Sequence, residues 1–350
     1  MTAAASEPRL TSLAHGGGCG CKVAPGVLAG ILRGLPPLPV PPELLVGIET
    51  SDDAAVYRVN ERQAIVATTD FFMPIVDDPY DFGRIAATNA ISDVYAMGGT
   101  PAFALALVGM PVNVLPAATI ARILEGGAAA CREAGIPVAG GHTIDSVEPI
   151  YGLVAIGLVD PARLRRNSGA RPGDVLVLGK PLGVGVYSAA LKRQALDAAG
   201  YARMVDTTTR LNTPGPLLAA LDGVHAMTDV TGFGLAGHAL EMARGSGCRL
   251  RIDWDAVPLL DGVRALAAEG FVTGASARNW NSVGDGVALP AGFDEVDRAL
   301  LTDPQTSGGL LVACAPGSVA AVMHVFREEG FAEAAVVGQA VAGDPGIDVA

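Results

Sequence analysis

The sequence predicts an α+β fold with mixed α/β layers, divided into two domains. At 350 residues the chain exceeds the length at which a single hydrophobic core usually stops growing. Short alternating apolar runs typical of strands are interspersed with longer runs of helical period. A stretch rich in Arg, Pro and Gly at 160–172 separates two such series. We therefore expect an arm and connector at 1–43, a first domain at 44–160 and a second at 173–350.

The elements follow in order along the chain. After a glycine-rich start, Pro25 favours a short helix over 26–33, and the prolines of 36–42 favour an extended connector. In the first domain, strands are predicted at 54–59, 63–69, 103–109, 137–139 and 151–158, and helices at 81–97 and 116–134. In the second domain, strands are predicted at 174–179, 310–314 and 334–341, and helices at 185–199 and 235–244.

Composition excludes several classes of protein. The 24 basic and 36 acidic residues give a net charge of -12, which argues against nucleic acid as a partner. The uncharged stretch 94–121 is interrupted by Gly and Pro, so we expect a buried core and no membrane span. Five scattered cysteines and a start without an apolar run predict a cytoplasmic protein with free thiols. Such an acidic chain should bind anionic ligands together with a divalent metal.

The segment 15–22, His-Gly-Gly-Gly-Cys-Gly-Cys-Lys, has the composition of a movable reactive arm. Lys22 lowers the cost of a thiolate at Cys19 or Cys21, and the glycines allow close backbone approach to a ligand. Two other interpretations stay open: a zinc site using His15 with both thiols, and a chain terminus without function.

Acidic residues recur beside predicted strands and on one helix. Asp52 and Asp53 precede a strand, and Asp70 follows Thr68 and Thr69 at the end of the next. Asn89 and Asp93 are four residues apart and share a helix face, where a carboxylate is costly unless paired or metal-bound. Asp229 precedes a glycine-rich turn, either as a helix cap or as a ligand.

Two further glycine-rich stretches are ambiguous. The segment 139–143, with Gly141, His142 and Thr143, is either a plain turn or a set of phosphate and base contacts. For 303–309 we favour a purely structural turn. The sequence lacks the glycine-rich phosphate loop and the dinucleotide fingerprint, so a nucleotide would be held through carboxylates and Mg²⁺.

Taken together, these motifs resemble the selenophosphate synthetases (selenide, water dikinases) of class I, within the aminoimidazole ribonucleotide synthetase-like superfamily. The resemblance covers nearly the whole chain, through the segments 10–11, 15–22, 52–56, 68–72, 89–93, 139–142, 227–234 and 303–309.

The resemblance implies a two-domain fold, a homodimer whose first-domain sheets pair into a barrel, and synthesis of selenophosphate from ATP, selenide and water with Mg²⁺, releasing AMP and orthophosphate. By position, Cys19 and Lys22 would be catalytic, with Cys21 in support. The magnesium ligands would be Asp53, Asp93 and Asp229. ATP would be held by Lys22, Thr50, Ser51, Asp52, Asp70, Asp93, Gly141, His142 and Thr143. To these we add Asn89, one turn before Asp93, as a cofactor-binding residue, and a selenium-delivery protein as a further partner.

Two other functions would use parts of the same pattern. A small-molecule kinase or cyclase of the same superfamily would need the aspartates but not Cys19 and Lys22. A thiol-based redox or metal-binding protein would need the thiols but not the aspartates. Only the dikinase interpretation uses both sets.

Overall fold

Within the residues that the structure describes, the strands form two sheets, each covered by helices. The structure is a computed structural model and describes residues 7–23, 27, 30–31, 39–48 and 52–350. Most of the helix predicted over 26–33 and the start of the proline-rich connector lie outside these residues.

The first sheet has the strand order β1-β2-β3-β6-β4-β5. Its neighbouring strands are antiparallel except for β4 and β5, which are parallel. The strands are β1 (Leu44–Val46), β2 (Ala55–Asn60), β3 (Gln63–Phe72), β4 (Thr100–Met110), β5 (Val138–Asp145) and β6 (Ile150–Val159).

Two helices, α1 (Pro79–Ala96) and α2 (Ala117–Glu133), accompany this sheet. Asp78 caps α1 by accepting a hydrogen bond from the amide of Asp81. Phe82 of α1 lies 6.3 Å, between ring centroids, from both Phe72 and Tyr151, which fixes the helix against β3 and β6. α1 also contacts the second domain, so its polar side chains lie between the two domains.

The second sheet has the order β10-β13-β9-β12-β7-β11-β8. Its strands are β7 (Val175–Leu178), β8 (Val224–Asp229), β9 (Arg249–Ile252), β10 (Val287–Ala288), β11 (Leu310–Cys314), β12 (Ala335–Val341) and β13 (Gly346–Val349). The helices of this domain are α3 (Val184–Lys192), α4 (Ala198–Thr209), α5 (Pro214–Ala219), α6 (Gly234–Ser246), α7 (Val263–Ala268), α8 (Gly274–Val283), α9 (Glu295–Leu301) and α10 (Val319–Glu328).

The helix predicted over 185–199 is wrong as a single element. The chain leaves α3 after Lys192, and Gln194 adopts a left-handed φ of 59°. Asp197 then caps α4 by accepting from the amide of Gly200 at 2.7 Å. Apolar periodicity continues across this break, so the sequence pattern did not reveal it.

Two predicted strands are longer than expected. β3 continues to Phe72 because its residues 70–72 still pair with β6, so Asp70 lies within the strand and not at its end. The segment 139–143 is neither a turn nor a loop but part of β5. A Cβ at Gly141 would lie 2.1 Å from the carbonyl oxygen of Ala106, so this glycine serves strand pairing and not a turn.

The uncharged stretch 94–121 contains the end of α1, all of β4 and the start of α2, and much of it is buried. None of the helices that the structure describes combines the length and the apolar run that a membrane crossing needs. All five cysteines are described and all are free thiols.

Candidate active site

The glycine-rich arm lies between the two domains. A short helical turn, 18–21, places Cys19 next to α1 and the turn 303–309. Gly18 has a left-handed φ of 52°, its amide donates to the carbonyl of Met73 at 2.8 Å, and a Cβ there would lie 2.2 Å from Thr306 Oγ1. A side chain at this position would therefore clash, which explains the glycine; the expected approach of the arm to a ligand stays a prediction.

The Cys19 thiol is held in a buried hydrogen-bond network. Its Sγ donates to Asn89 Oδ1 at 3.1 Å, and its amide donates to Thr306 Oγ1 at 3.1 Å. Asn89 Oδ1 also accepts from the amide of Ser307 at 2.7 Å. Burial raises the pKa of Cys19 well above its ordinary value, although Lys22 lowers it. In this conformation Cys19 is a neutral thiol.

The amide group of Asn89 links the thiol to Lys22. Asn89 Nδ2 donates to Asp70 Oδ2, and Lys22 Nζ lies 3.4 Å from the same oxygen. Burial opposes the charge on Lys22, but Asp70 and the other acidic groups outweigh it and raise the pKa of Lys22 well above its ordinary value. Lys22 therefore carries a stable positive charge beside the thiol.

Three aspartates lie close to this network, each with a hydroxyl partner from another element. Thr68 Oγ1 of β3 donates to Asp93, Ser92 Oγ of α1 donates to Asp229, and Thr228 Oγ1 of β8 donates to Asp53 at 2.8 Å. As predicted, Asn89 and Asp93 share a face of α1, and they reach Asp70 and Thr68 on one face of β3.

All three carboxyl groups have a raised pKa. For Asp53 and Asp93 the causes are burial first and then Asp229; for Asp229 the main cause is burial. Asp53 Oδ2 is buried and has no hydrogen-bond partner among the described residues. A bound cation would stabilise the charged carboxylates and would give this oxygen a partner.

These carboxylates fit a divalent cation, although they do not form a complete cage for one. Across the described part of the chain, no group of three or more His, Cys, Asp or Glu side chains is already arranged to hold a metal ion. Mg²⁺ usually takes one or two carboxylates and completes its shell with water and substrate phosphates. The orphaned oxygen of Asp53 and the oxygen-only donor set agree with that mode of binding.

The remaining predicted residues are placed elsewhere. Asp52 accepts at 2.8 Å from the amide of Asn167, after the first domain. Gly141, His142 and Thr143 lie exposed on β5, at the edge of the first sheet. Thr50 and Ser51 lie outside the described residues.

In the described structure, Cys19 and Cys21 do not form a shared metal site with His15. His15 lies beside Glu148, with Nδ1 and Oε2 2.9 Å apart, while Cys21 Sγ donates to the carbonyl of Gly18 at 2.9 Å. The arm of the described structure thus keeps Cys21 within its own turn.

Sequence reasoning missed several residues of the site. Thr306 and Ser307 contact the thiol network, although we favoured a purely structural role for their turn. Asn212 donates to Ser92 Oγ at 2.7 Å and to the carbonyl of Gly308 at 2.9 Å, which joins α1 to that turn. The two adjacent hydroxyl residues and two glycines of 306–309 could have indicated a functional turn. Nothing in the sequence around Asn212 indicates its role.

Comparison with known proteins identifies the fold family of this chain. The family models for AIR synthase related protein match residues 51–159 with their N-terminal domain and residues 171–349 with their C-terminal domain. The crystal structure of tt0281 from Thermus thermophilus has a TM-score of 0.68 at 21% identity, covering 92% of this chain and 95% of that one. The fold is thus that of the AIR synthase related proteins.

Two curated relatives narrow the assignment. A selenide, water dikinase of Burkholderia pseudomallei (strain K96243) is 68% identical, covering 99% of this chain and 98% of the relative. Another, from Dechloromonas aromatica (strain RCB), is 66% identical, covering 97% of this chain and 98% of the relative. The chain belongs to the selenide, water dikinase family.

Proposed function

We propose that this chain is an enzyme that makes selenophosphate from ATP, selenide and water and releases AMP and orthophosphate. The observation that carries the proposal is the continuous network from the Cys19 thiol through Asn89 and Asp70 to Lys22, beside three acidic side chains. Identity of 68% over almost the full length to a selenide, water dikinase supports the same conclusion.

We propose that Asp53, Asp93 and Asp229 hold Mg²⁺ together with the phosphates of ATP. Held there, Mg²⁺ would supply charge neutralisation on the phosphate oxygens as the bonds to phosphorus break. The hydroxyls of Thr68, Ser92 and Thr228 orient the carboxylates before a ligand arrives.

Lys22 and Cys19, both on the arm, contribute to binding and catalysis. The charged Lys22 ammonium, held by Asp70, is positioned to bind a phosphate group. Asn89 Oδ1 accepts a hydrogen bond from the Cys19 thiol and so fixes the orientation of the Cys19 side chain. The closed arm keeps water from the thiol, which is 1% exposed, and this protects an easily oxidised selenium nucleophile.

We propose that Gly141, His142 and Thr143 contact a nucleotide across a pair of chains. These residues lie on β5, an edge strand that is exposed along its whole length. The outer face of the same sheet exposes Phe71, Phe103 and Leu158 to 50%, 36% and 39%. An exposed edge strand beside an apolar face is a surface suited to pairing with a partner. We therefore keep the homodimer, with its sheets paired into a barrel, as a proposal.

We propose four further properties of this chain. The arm and connector cover 1–43, and the two domains cover 44–160 and 173–350. The protein is cytoplasmic and receives selenium from a delivery protein. Thr50, Ser51 and Asp52 contact ATP. The free thiols are consistent with a reducing compartment.

Nucleotide products test the proposal. Under anaerobic conditions with Mg-ATP, the wild-type protein should form AMP in proportion to added selenide, and Cys19→Ser and Lys22→Gln should abolish that dependence. The control is Cys131→Ser, which replaces a buried thiol of α2 outside the network. ADP formed without selenide and unaffected by Cys19→Ser would instead indicate a small-molecule kinase of the same fold.

A further inference from the structure

A cavity lies beside the arm, apart from the aspartates. Its volume is about 300 Å³, and its lining comes from the arm, the end of α3 and the start of α8, including Gly17, Gly20, Lys192, Arg193 and Arg278. Neither Cys19 nor Lys22 lines it, and its described lining contains no Asp or Glu. The arm therefore has the catalytic network and this cavity as separate neighbours.

Three cations give the cavity its charge. Lys192 Nζ donates to the carbonyl of Ala14 at 2.9 Å, Arg278 Nη2 to that of Gly20 at 2.9 Å, and Arg193 Nη1 to that of Gly270 at 3.3 Å. None of the three forms a salt bridge with another described residue. An ammonium has three donors and a guanidinium five, so most of their donors remain available.

The nearest acidic groups have other partners, although Glu148 also interacts electrostatically with Lys192. Glu148 is engaged by the amide of His15 at 2.7 Å and by the His15 ring, and Arg9 is paired with Asp77. Thr273, Gly274 and Ala275, which cap and begin α8, also line the cavity and add the positive end of a helix dipole. In a chain of net charge -12, a cluster of cations without salt bridges to described residues favours binding of an anion.

We propose that this cavity binds a phosphate-class oxyanion. The inference rests on the proposed function, because that reaction releases two such anions, orthophosphate and selenophosphate. Guanidinium groups and helix amides match several oxygen acceptors at once, whereas hydroselenide offers none. Lys192 and Arg278 each spend one donor on a carbonyl of the arm, so the anion would bind beside the closed arm through the donors that remain.

Direct binding tests the proposal without turnover. Equilibrium dialysis of the full-length protein with radiolabelled inorganic phosphate, without nucleotide or selenide, should show one phosphate per chain. Lys192→Gln and Arg278→Gln should each weaken binding about tenfold, because each removes hydrogen bonds to a charged group. Arg132→Gln, on α2 and away from the cavity, is the matched control and should bind as the wild type does.

The alternative location is the catalytic site. Phosphate binding that survives Arg278→Gln and Lys192→Gln but disappears in Lys22→Gln would overturn the proposal, as would no binding at all. Thiophosphate serves as a stable analogue of selenophosphate: tighter binding than phosphate would identify selenophosphate as the ligand, and weaker or equal binding orthophosphate.

The two proposals fail separately. Phosphate binding at the cavity in a protein that shows no selenide-dependent AMP formation would remove the proposed function and leave the anion site. Selenide-dependent AMP formation without phosphate binding would remove the anion site alone.

Discussion

Asn89 connects the thiol to the lysine through one side-chain amide. Its oxygen accepts from Cys19 Sγ and its nitrogen donates to Asp70, the carboxylate that pairs with Lys22. Because the side chain is completely buried, both contacts are protected from water. Its place could be predicted from the sequence, since Asn89 precedes Asp93 by one helical turn.

Replacement of Asn89 tests that connection. Asn89→Ala should lower the rate of selenophosphate formation by about 10- to 100-fold, because it frees the thiol and removes a hydrogen bond to a charged group. Steady-state kinetics should place the loss in kcat more than in the KM for ATP. Asn281→Ala, at an exposed position of α8, is the control; equal kinetics of the two variants would contradict the role of Asn89.

Other residues of the site could not be predicted from sequence. Asn212 reaches Ser92 and the turn 303–309 from a loop between helices, and no periodicity marks it. The neutral state of Cys19 also depends on burial, which the sequence does not show: the effect of Lys22 was predicted in the right direction, but burial is the larger cause.

The arm leaves no room for a side chain at Gly18, which lies between Met73 of the first domain and Thr306 of the second. Gly18→Ala should abolish activity while the fold stays intact, because its Cβ would lie 2.2 Å from Thr306 Oγ1 and φ is 52°. Gly20→Ala is the matched control, since its Cβ would meet Pro304 at an ordinary 3.4 Å. Activity assays with circular dichroism check both variants; an active Gly18→Ala would show that this closed arm is not needed for catalysis.

The side chain of Lys180 stabilises the turn 303–309 through hydrogen bonds. Its Nζ donates to the carbonyls of Ser307 at 2.8 Å and Arg210 at 2.7 Å, and burial lowers the pKa of Lys180 to about 7. The unfolded chain keeps this proton up to the ordinary pKa of 10.5. Between these values the folded protein binds fewer protons, so this lysine makes the free energy of unfolding rise with pH.

Lys180→Met removes that pH dependence. The difference in unfolding free energy between wild type and variant should grow above pH 7, by up to about 1.4 kcal/mol per pH unit. Denaturant titrations from pH 6 to 10 measure it, with the exposed Lys192→Met as the control. A difference that stays constant with pH would mean that the folded and unfolded states bind this proton equally well.

Regular elements were predicted well where the apolar period was strong. The helix expected over 81–97 is α1, Pro79–Ala96, and the helix expected over 116–134 is α2, Ala117–Glu133. The break between α3 and α4 was missed because a left-handed Gln194 leaves no mark on hydropathy. Short strands such as β10, of two residues, carry too little pattern to be found.

At the scale of the molecule, the described residues leave an apolar face of the first sheet exposed and β5 as its edge strand, and we expect a dimer there. Sedimentation velocity should show a dimer for the wild type and a shift toward monomer for Ile144→Lys, since Ile144 on β5 is 56% exposed. Nucleotide binding should weaken with it, because Gly141, His142 and Thr143 lie on the same strand.

The control for the dimer is Val336→Lys. Val336 is 41% exposed on β12 of the second sheet, so a lysine there should leave the dimer intact. A wild-type protein that is monomeric and fully active would contradict the dimer and the role of residues 141–143. The chain sequence suggested this pairing through family resemblance, since no spacing of residues predicts how two copies meet.

A phosphorus–selenium bond in the product is the most direct evidence for the proposed reaction. Phosphorus NMR of the protein with Mg-ATP and selenide labelled with the magnetic isotope of selenium, under anaerobic conditions, measures it. We expect a new phosphorus resonance split by coupling to selenium, together with AMP and orthophosphate, and its loss in Cys19→Ser. Consumption of ATP without any selenium-coupled resonance would contradict the assignment of this site to selenophosphate synthesis.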